Sequence, residues 1–155
     1  RVHLNTNGSR PGVVAQLMEA GLNSIRVSLN SAVESSYNAY YRPIGYRFAD
    51  VVESIRIVVR GGGWAAINLL VFPGVTDLPE EIAALVGLVR DTGLHMVQMR
   101  NLNIDPELYL DSLGIRDERP GLGIPELMAQ LEKARPGLRF GTGGDRYGPA
   151  PAGGG

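Results

Sequence analysis

Short apolar runs that end abruptly in polar residues recur along the chain, separated by stretches whose apolar residues fall at helical spacing. Val2–Asn5, Ser24–Leu29, Trp64–Phe72 and His95–Met99 read as strands, and Leu138–Phe140 reads as one more short one. Between the first two, Val13, Val14, Leu17 and Met18 mark one face of a helix. Pro11 suits its first turn, where a missing N–H loses nothing, and Gly21 ends it. Phe48, Val51, Val52, Ile55, Val58 and Val59 form a single stripe at helical period, stopped by Gly61–Gly63. Ile82, Leu85, Val86 and Val89 mark another, opened by Asp77, Glu80 and Glu81 where a helix dipole favours acids, and stopped by Gly93. Ala32–Tyr41, Asp105–Leu113 and the segment around Ile124–Leu131 are shorter helices.

Strands alternating with helices at this rhythm predict an α/β fold with right-handed crossovers and a parallel sheet of four or five strands. The nearly continuous apolar run from Ile67 to Phe72 suits a strand covered on both sides. Two architectures remain open, a doubly wound sheet and an arc of a (β/α) barrel; in both, ligands gather at the C-terminal strand ends.

The totals narrow the function classes. The chain has 155 residues, 44% of them apolar, with a formal net charge of −1. Its 15 basic residues are all arginine except Lys133 and are scattered, so charge gives no strong nucleic-acid signal. No apolar run approaches the roughly 20 residues of a membrane span, and no secretory signal opens the chain, so a cytoplasmic protein without a membrane partner is expected. There is no cysteine, which excludes a thiol nucleophile and thiolate-held metals within these residues. A strand beginning at once after Arg1 reads as the later part of something longer. Residues 1–140 are expected to form the domain, and residues 141–155 a flexible Gly/Pro-rich tail.

The polar residues at the strand ends are Asn5, Thr6 and Asn7, then Ser28 and Asn30, then Asn68, then Arg100, Asn101 and Asn103. They are neutral donors and acceptors for the most part. Such groups position a polar ligand, but a cofactor must supply any demanding chemistry. His3 and His95 lack metal-ligand spacing and read as packed strand histidines, and Glu80-Glu81 as a helix start. Ser28 lacks a nucleophile-elbow glycine pattern. Tyr37, Tyr40 and Tyr41 read as one helix face against a neighbouring loop, and Gly141–Asp145 as a flexible segment.

Three motifs in order, Leu4-Asn5-Thr6-Asn7-Gly8, Arg26-Val27-Ser28-Leu29-Asn30-Ser31 and Ile67-Asn68-Leu69-Leu70-Val71-Phe72-Pro73-Gly74-Val75-Thr76-Asp77, resemble the radical S-adenosylmethionine superfamily. The likeness is greatest to the branch containing the molybdenum-cofactor cyclisation enzymes, and it covers Val2 to Asn103. The resemblance implies the later βα units of a partial (β/α)6 TIM-like barrel. It also implies S-adenosylmethionine as cofactor, with Thr6, Asn7, Ser28, Asn30 and Phe72 around it. As strand-end polar residues, Asn68, Arg100, Asn101 and Asn103 are the candidates for substrate contact, with Arg100 suited to a carboxylate or phosphate. Asn30 stands where the family usually has aspartate. The family's CxxxCxxC loop, which holds a 4Fe–4S cluster, and its Gly-Gly-Glu stretch are absent from the sequence. The implied activity, reductive cleavage of S-adenosylmethionine and hydrogen abstraction, then needs a longer parent and an electron donor for its cluster, and this chain alone is expected to be inactive. Two other readings compete: a cysteine-free barrel lyase or aldolase, which lacks a strand-end lysine because Lys133 sits in a helix, and a non-catalytic binding module built on the same sheet.

Overall fold

The computed structural model of the chain describes residues 1–142. Its elements are β1 (His3–Thr6), α1 (Pro11–Glu19), β2 (Ser24–Leu29), α2 (Glu34–Tyr41), α3 (Phe48–Arg60), β3 (Trp64–Val71), α4 (Pro79–Thr92), β4 (Met96–Asn101), α5 (Pro106–Leu113), α6 (Ile124–Ala134) and β5 (Arg139–Thr142). All five strands are parallel and stand in the order β1-β2-β3-β4-β5. A doubly wound sheet needs a reversal of strand order, and there is none here. Crossovers that all step the same way and share one hand place their helices on one face. This decides between the two architectures in favour of the barrel-type arc.

The helix layer follows the strands in sequence: α1 packs on α3, α3 on α4, and α4 on α6. Its contact with the sheet is the core. Ile25, Val27 and Leu29 of β2, Ala65, Ile67 and Leu69 of β3, and Val97 of β4 meet Val51, Ile55 and Val58 of α3, Ile82, Leu85 and Val89 of α4, and Leu127 and Leu131 of α6. Val51, Ile55 and Val58 are fully buried, as the stripe at helical period required; each such side chain contributes about 1.5–3 kcal/mol. The helix stops also follow the sequence: Gly93 closes α4 in the left-handed region, at φ 66°, where a Cβ would be strained.

Some boundaries move. The helix expected from Ala32 begins at Glu34 because Ser31 Oγ accepts the Val33 N–H, holding the chain in a turn for two residues. β3 stops at Val71, since the Phe72 N–H donates to Thr76 Oγ1 and Pro73 has no N–H to offer. β4 runs two residues beyond the expected Met99, pairing Arg100 with Leu70 and Asn101 with Val71. β5 reaches Thr142, so Gly141 and Thr142 belong to the sheet rather than to the expected tail. The rest of that tail lies outside the described residues.

Helices α2 and α5 are not part of the helix layer. They pack on each other beside the C-terminal strand ends, through an aromatic chain. Phe72, just past β3, meets Tyr109 edge-on at 5.8 Å, and Tyr109 meets Tyr40 at 5.2 Å. Tyr40 meets Tyr41 at 4.9 Å, Tyr41 meets Tyr37 at 4.7 Å, and Tyr37 meets Phe48 of α3 at 4.9 Å. The tyrosines of α2 are thus a packing face, as their spacing indicated.

Candidate functional site

Side chains alternate between the two faces of a strand. With the apolar set committed to the helices, the other parity falls on the open face of the sheet. The register then builds rows across the strands. Asn5 pairs with Arg26, Arg26 with Ala66, Ala66 with Met96, and Met96 with Arg139. One step toward the C-terminal ends, Ser28 pairs with Asn68, Asn68 with Gln98, and Gln98 with Gly141. Another step on, Leu70 pairs with Arg100.

The middle row is polar and its hydrogen bonding is incomplete. Ser28 is exposed and Asn68 half-buried, while Gln98 is only 1% exposed. Asn68 Oδ1 and both amide atoms of Gln98 are buried without a hydrogen-bond partner. For Gln98 the result does not depend on which amide atom is oxygen and which is nitrogen, since both are unmet. Buried polar groups in folded proteins are almost always paired, so such a cluster calls for an explanation. Among the described residues no open-face strand position carries a carboxylate, and Arg26 and Arg100 flank the row. The arrangement offers neutral donors and acceptors between two cations, which suits a ligand with polar edges and an anionic end.

The loops at the strand ends are tied by their own side chains. After β1, Thr6 Oγ1 accepts the Gly8 N–H at 3.0 Å and Asn7 Oδ1 accepts the Ser9 N–H at 3.0 Å. Buried Ser54 of α3 donates to Gly8 O at 2.7 Å, fixing this turn to the helix layer. After β2, Asn30 Nδ2 donates to Ser36 O at 3.2 Å, and Ser36 Oγ donates to Glu81 Oε1 at 3.0 Å. Ser31 Oγ donates to the other carboxylate oxygen of Glu81. Burial raises the pKa of Glu81 above its ordinary value, and the two serines oppose that shift. Burial likewise pushes the Tyr109 hydroxyl to about 12, with Asn30 acting in the opposite direction. After β3, the buried Asp77 carboxylate accepts the Gly74 N–H at 2.6 Å and the Gly123 N–H at 2.9 Å. Its backbone oxygen accepts the Leu122 N–H at 2.9 Å. Asp77 therefore fastens the segment after α5 to the end of β3, and the two border a cleft of about 270 Å³ lined by Phe72–Val75, Leu110 and Ile115–Arg119.

The structure brings some of the expected residues together and separates others. Ser28, Asn68 and Arg100 share the open face on adjacent rungs. Asn5 shares it further down, where its Oδ1 lies 3.3 Å from His3 Nε2. Thr6 pairs with Val27 and takes the parity of the helix side, and Asn101 pairs with Val71 in the same way. Asn7 is exposed in the turn, and Asn103 is exposed beyond β4. Asn30 is buried against α2, and Phe72 stands in the aromatic chain. Gln98 is the residue that sequence reasoning passed over. Its signal was the parity it shares with Arg100, which shows only once the strand is known to run through Arg100. His3 is half-buried, its Nδ1 2.7 Å from Ser24 Oγ, and His95 accepts the Ala65 N–H through Nδ1 at 3.1 Å; burial lowers both pKa values. Among the described residues no group of His, Cys, Asp and Glu is arranged to hold a metal ion. None of the described helices is long and apolar enough to cross a membrane. Lys133, the sole lysine, is exposed on α6, away from the open face.

The family model of the Radical SAM superfamily matches residues 1–86. No curated protein matches the chain significantly. Among solved structures, a radical SAM methyltransferase from Sphaerobacter thermophilus superposes with a TM-score of 0.63 at 17% identity, over 92% of this chain and 40% of that one. A domain of pyruvate-formate lyase-activating enzyme from Bacteroides vulgatus gives 0.64 at 14% identity, over 92% and 80%. SuiB from Streptococcus suis, bound to S-adenosylmethionine, gives 0.56 at 15% identity, over 93% and 33%. The chain thus spans about two fifths of the methyltransferase, and at these identities the likeness is one of fold.

Proposed function

The chain belongs to the radical S-adenosylmethionine superfamily, and on that premise we propose that its open sheet face is part of the cofactor and substrate site of a radical enzyme. The observation that carries this reading is the pairing of exposed Ser28 with Asn68, whose buried Oδ1 is unmet. Both residues lie within the matched segment. The exposed Ser28 hydroxyl fits the ribose and amino-acid groups of S-adenosylmethionine, and the unmet acceptor of Asn68 beside it is left for the substrate. Ser28 would contact the cofactor, the Phe72 end of β3 would border its adenine, and Asn7 would stand at the rim. Asn30 and Thr6 act one step back, holding the ends of β2 and β1 in place. Arg100 would take an anionic group of the substrate, with Asn101 and Asn103 meeting only its outer part.

When bound with a reduced 4Fe–4S cluster, S-adenosylmethionine supplies a radical that abstracts hydrogen from substrate. The cluster does not fit these residues. Such clusters are held by cysteine thiolates, and the 155 residues contain none. Its ligands, and the electron donor that reduces it, must come from outside this sequence, and the chain by itself is expected not to cleave the cofactor.

Calorimetric titration of the purified chain with S-adenosylmethionine tests the binding reading. Wild type is expected to bind, and Ser28→Leu, which removes the hydroxyl and fills the space above it, to bind at least about tenfold more weakly. Equal affinity of the two, or no binding by wild type, would overturn it.

A further inference from the structure

Among the described residues Gln98 is the most buried polar side chain on the open face, and it lacks partners at both amide atoms. Its neighbours show that the site is shaped around it. Across the strand pair stands Gly141, where a Cβ would meet Met96 Cε at 3.0 Å and Gln98 Cγ at 3.7 Å. The glycine lets the Gln98 stem and Met96 lie close against β5. On the other side stands Asn68, with its own unmet Oδ1. Three unmet atoms on one rung amount to two acceptors and one donor. A leucine or methionine at position 98 would fill the same volume without an unmet atom, so stability does not explain the glutamine.

We propose that Gln98, with Asn68, is a specificity subsite on the sheet floor that recognises a ligand edge carrying a donor and an acceptor side by side, as a carboxamide or a nucleobase edge does. This rests on the open face being the ligand site and adds to it the class of group that the middle row reads. The pair is neutral and offers both a donor and acceptors, so an edge of mixed donor and acceptor satisfies it better than a carboxylate, which only accepts, or an ammonium, which only donates. The charged end of the same ligand falls to Arg100, one rung further toward the strand ends.

The test uses Gln98→Leu and Gln98→Met in the full chain, with three probes: uracil, N-acetylglycinamide and acetate. Thermal unfolding comes first. Both variants are expected to unfold at the same temperature as wild type or about 3–6 °C higher, because an unmet buried amide is removed. A fall of several degrees in both variants would show that Gln98 serves the fold and would overturn the proposal. Probe binding is then read by ligand-observed NMR at millimolar concentration. Wild type is expected to bind uracil or N-acetylglycinamide at least fivefold better than either variant does, and acetate without such a difference. Preference for uracil identifies a base-like ligand, and preference for N-acetylglycinamide an amide-bearing one. Equal binding of every probe by wild type and variants overturns the proposal. S-Adenosylmethionine titrated into the same variants keeps the two readings apart: loss in Ser28→Leu with no probe effect at Gln98 would sink the subsite alone, whereas no cofactor binding by wild type would sink the broader reading.

Discussion

Replacing Asp77 by alanine should loosen the end of β3 and the segment after α5 together. The Asp77 carboxylate is 4% exposed and accepts two backbone N–H groups, from Gly74 at 2.6 Å and Gly123 at 2.9 Å. Truncation removes both charge-assisted bonds and leaves two donors facing the space. Each such bond is worth roughly 1.5–3 kcal/mol. Water entering beside the exposed stretch 116–120 recovers part of that, so about 3 kcal/mol is expected in total. At a urea slope of about 1–3 kcal/mol per molar, the midpoint should fall by roughly 1–3 M. Asp77→Asn keeps one acceptor and should lose about half as much. Tryptic cleavage gives a second readout. Arg116 is exposed in the fastened segment, and cleavage after it should accelerate in Asp77→Ala beyond what global unfolding accounts for. A loss below about 1 kcal/mol with unchanged cleavage would refute the reasoning.

Two further outcomes follow from the same loops. Burial raises the Glu81 pKa in the folded chain, so its contribution to stability is full below the unfolded pKa near 4.5 and is lost as pH rises through the folded value. Glu80 works in the opposite sense, since its bond to Arg119 lowers its pKa. The difference in stability between wild type and Glu81→Gln, followed by urea unfolding from pH 4 upward, isolates Glu81 and should move in favour of the variant as pH rises; a flat difference would contradict the burial argument. Gly8→Ala should cost about 2 kcal/mol by thermal or urea unfolding. Gly8 has φ 71°, and the added Cβ would meet Val51 Cγ1 at 3.2 Å and Val27 Cγ1 at 3.3 Å.

Much of this fold was legible because its signals are local. The stripe of α3, the acids at the start of α4 and the glycine stops each follow from a few neighbouring residues. The barrel-type order needed the pairing itself, since the same alternation of strands and helices serves a doubly wound sheet. The candidate site was legible in composition more than in position. Ser28, Asn68 and Arg100 share one face, but Thr6 and Asn101 sit at rungs of the opposite parity, and a shift of one residue along a strand reverses the face. Asn30 reads as the continuation of β2, yet the chain has already turned and spends that amide on Ser36 O. Gln98 was hidden because its meaning comes from partners on β3 and β5, about 30 and 43 residues away in sequence.

On the reading proposed above, the open face and not the helix layer carries the ligand. Backbone amide NMR of the purified chain titrated with S-adenosylmethionine tests it most directly. The shifts of Asn7, Ser28, Asn68 and Phe72 are expected to move together and saturate, while those of α1 and α6 stay still. Shifts confined to the helices, or none at millimolar cofactor, would contradict it.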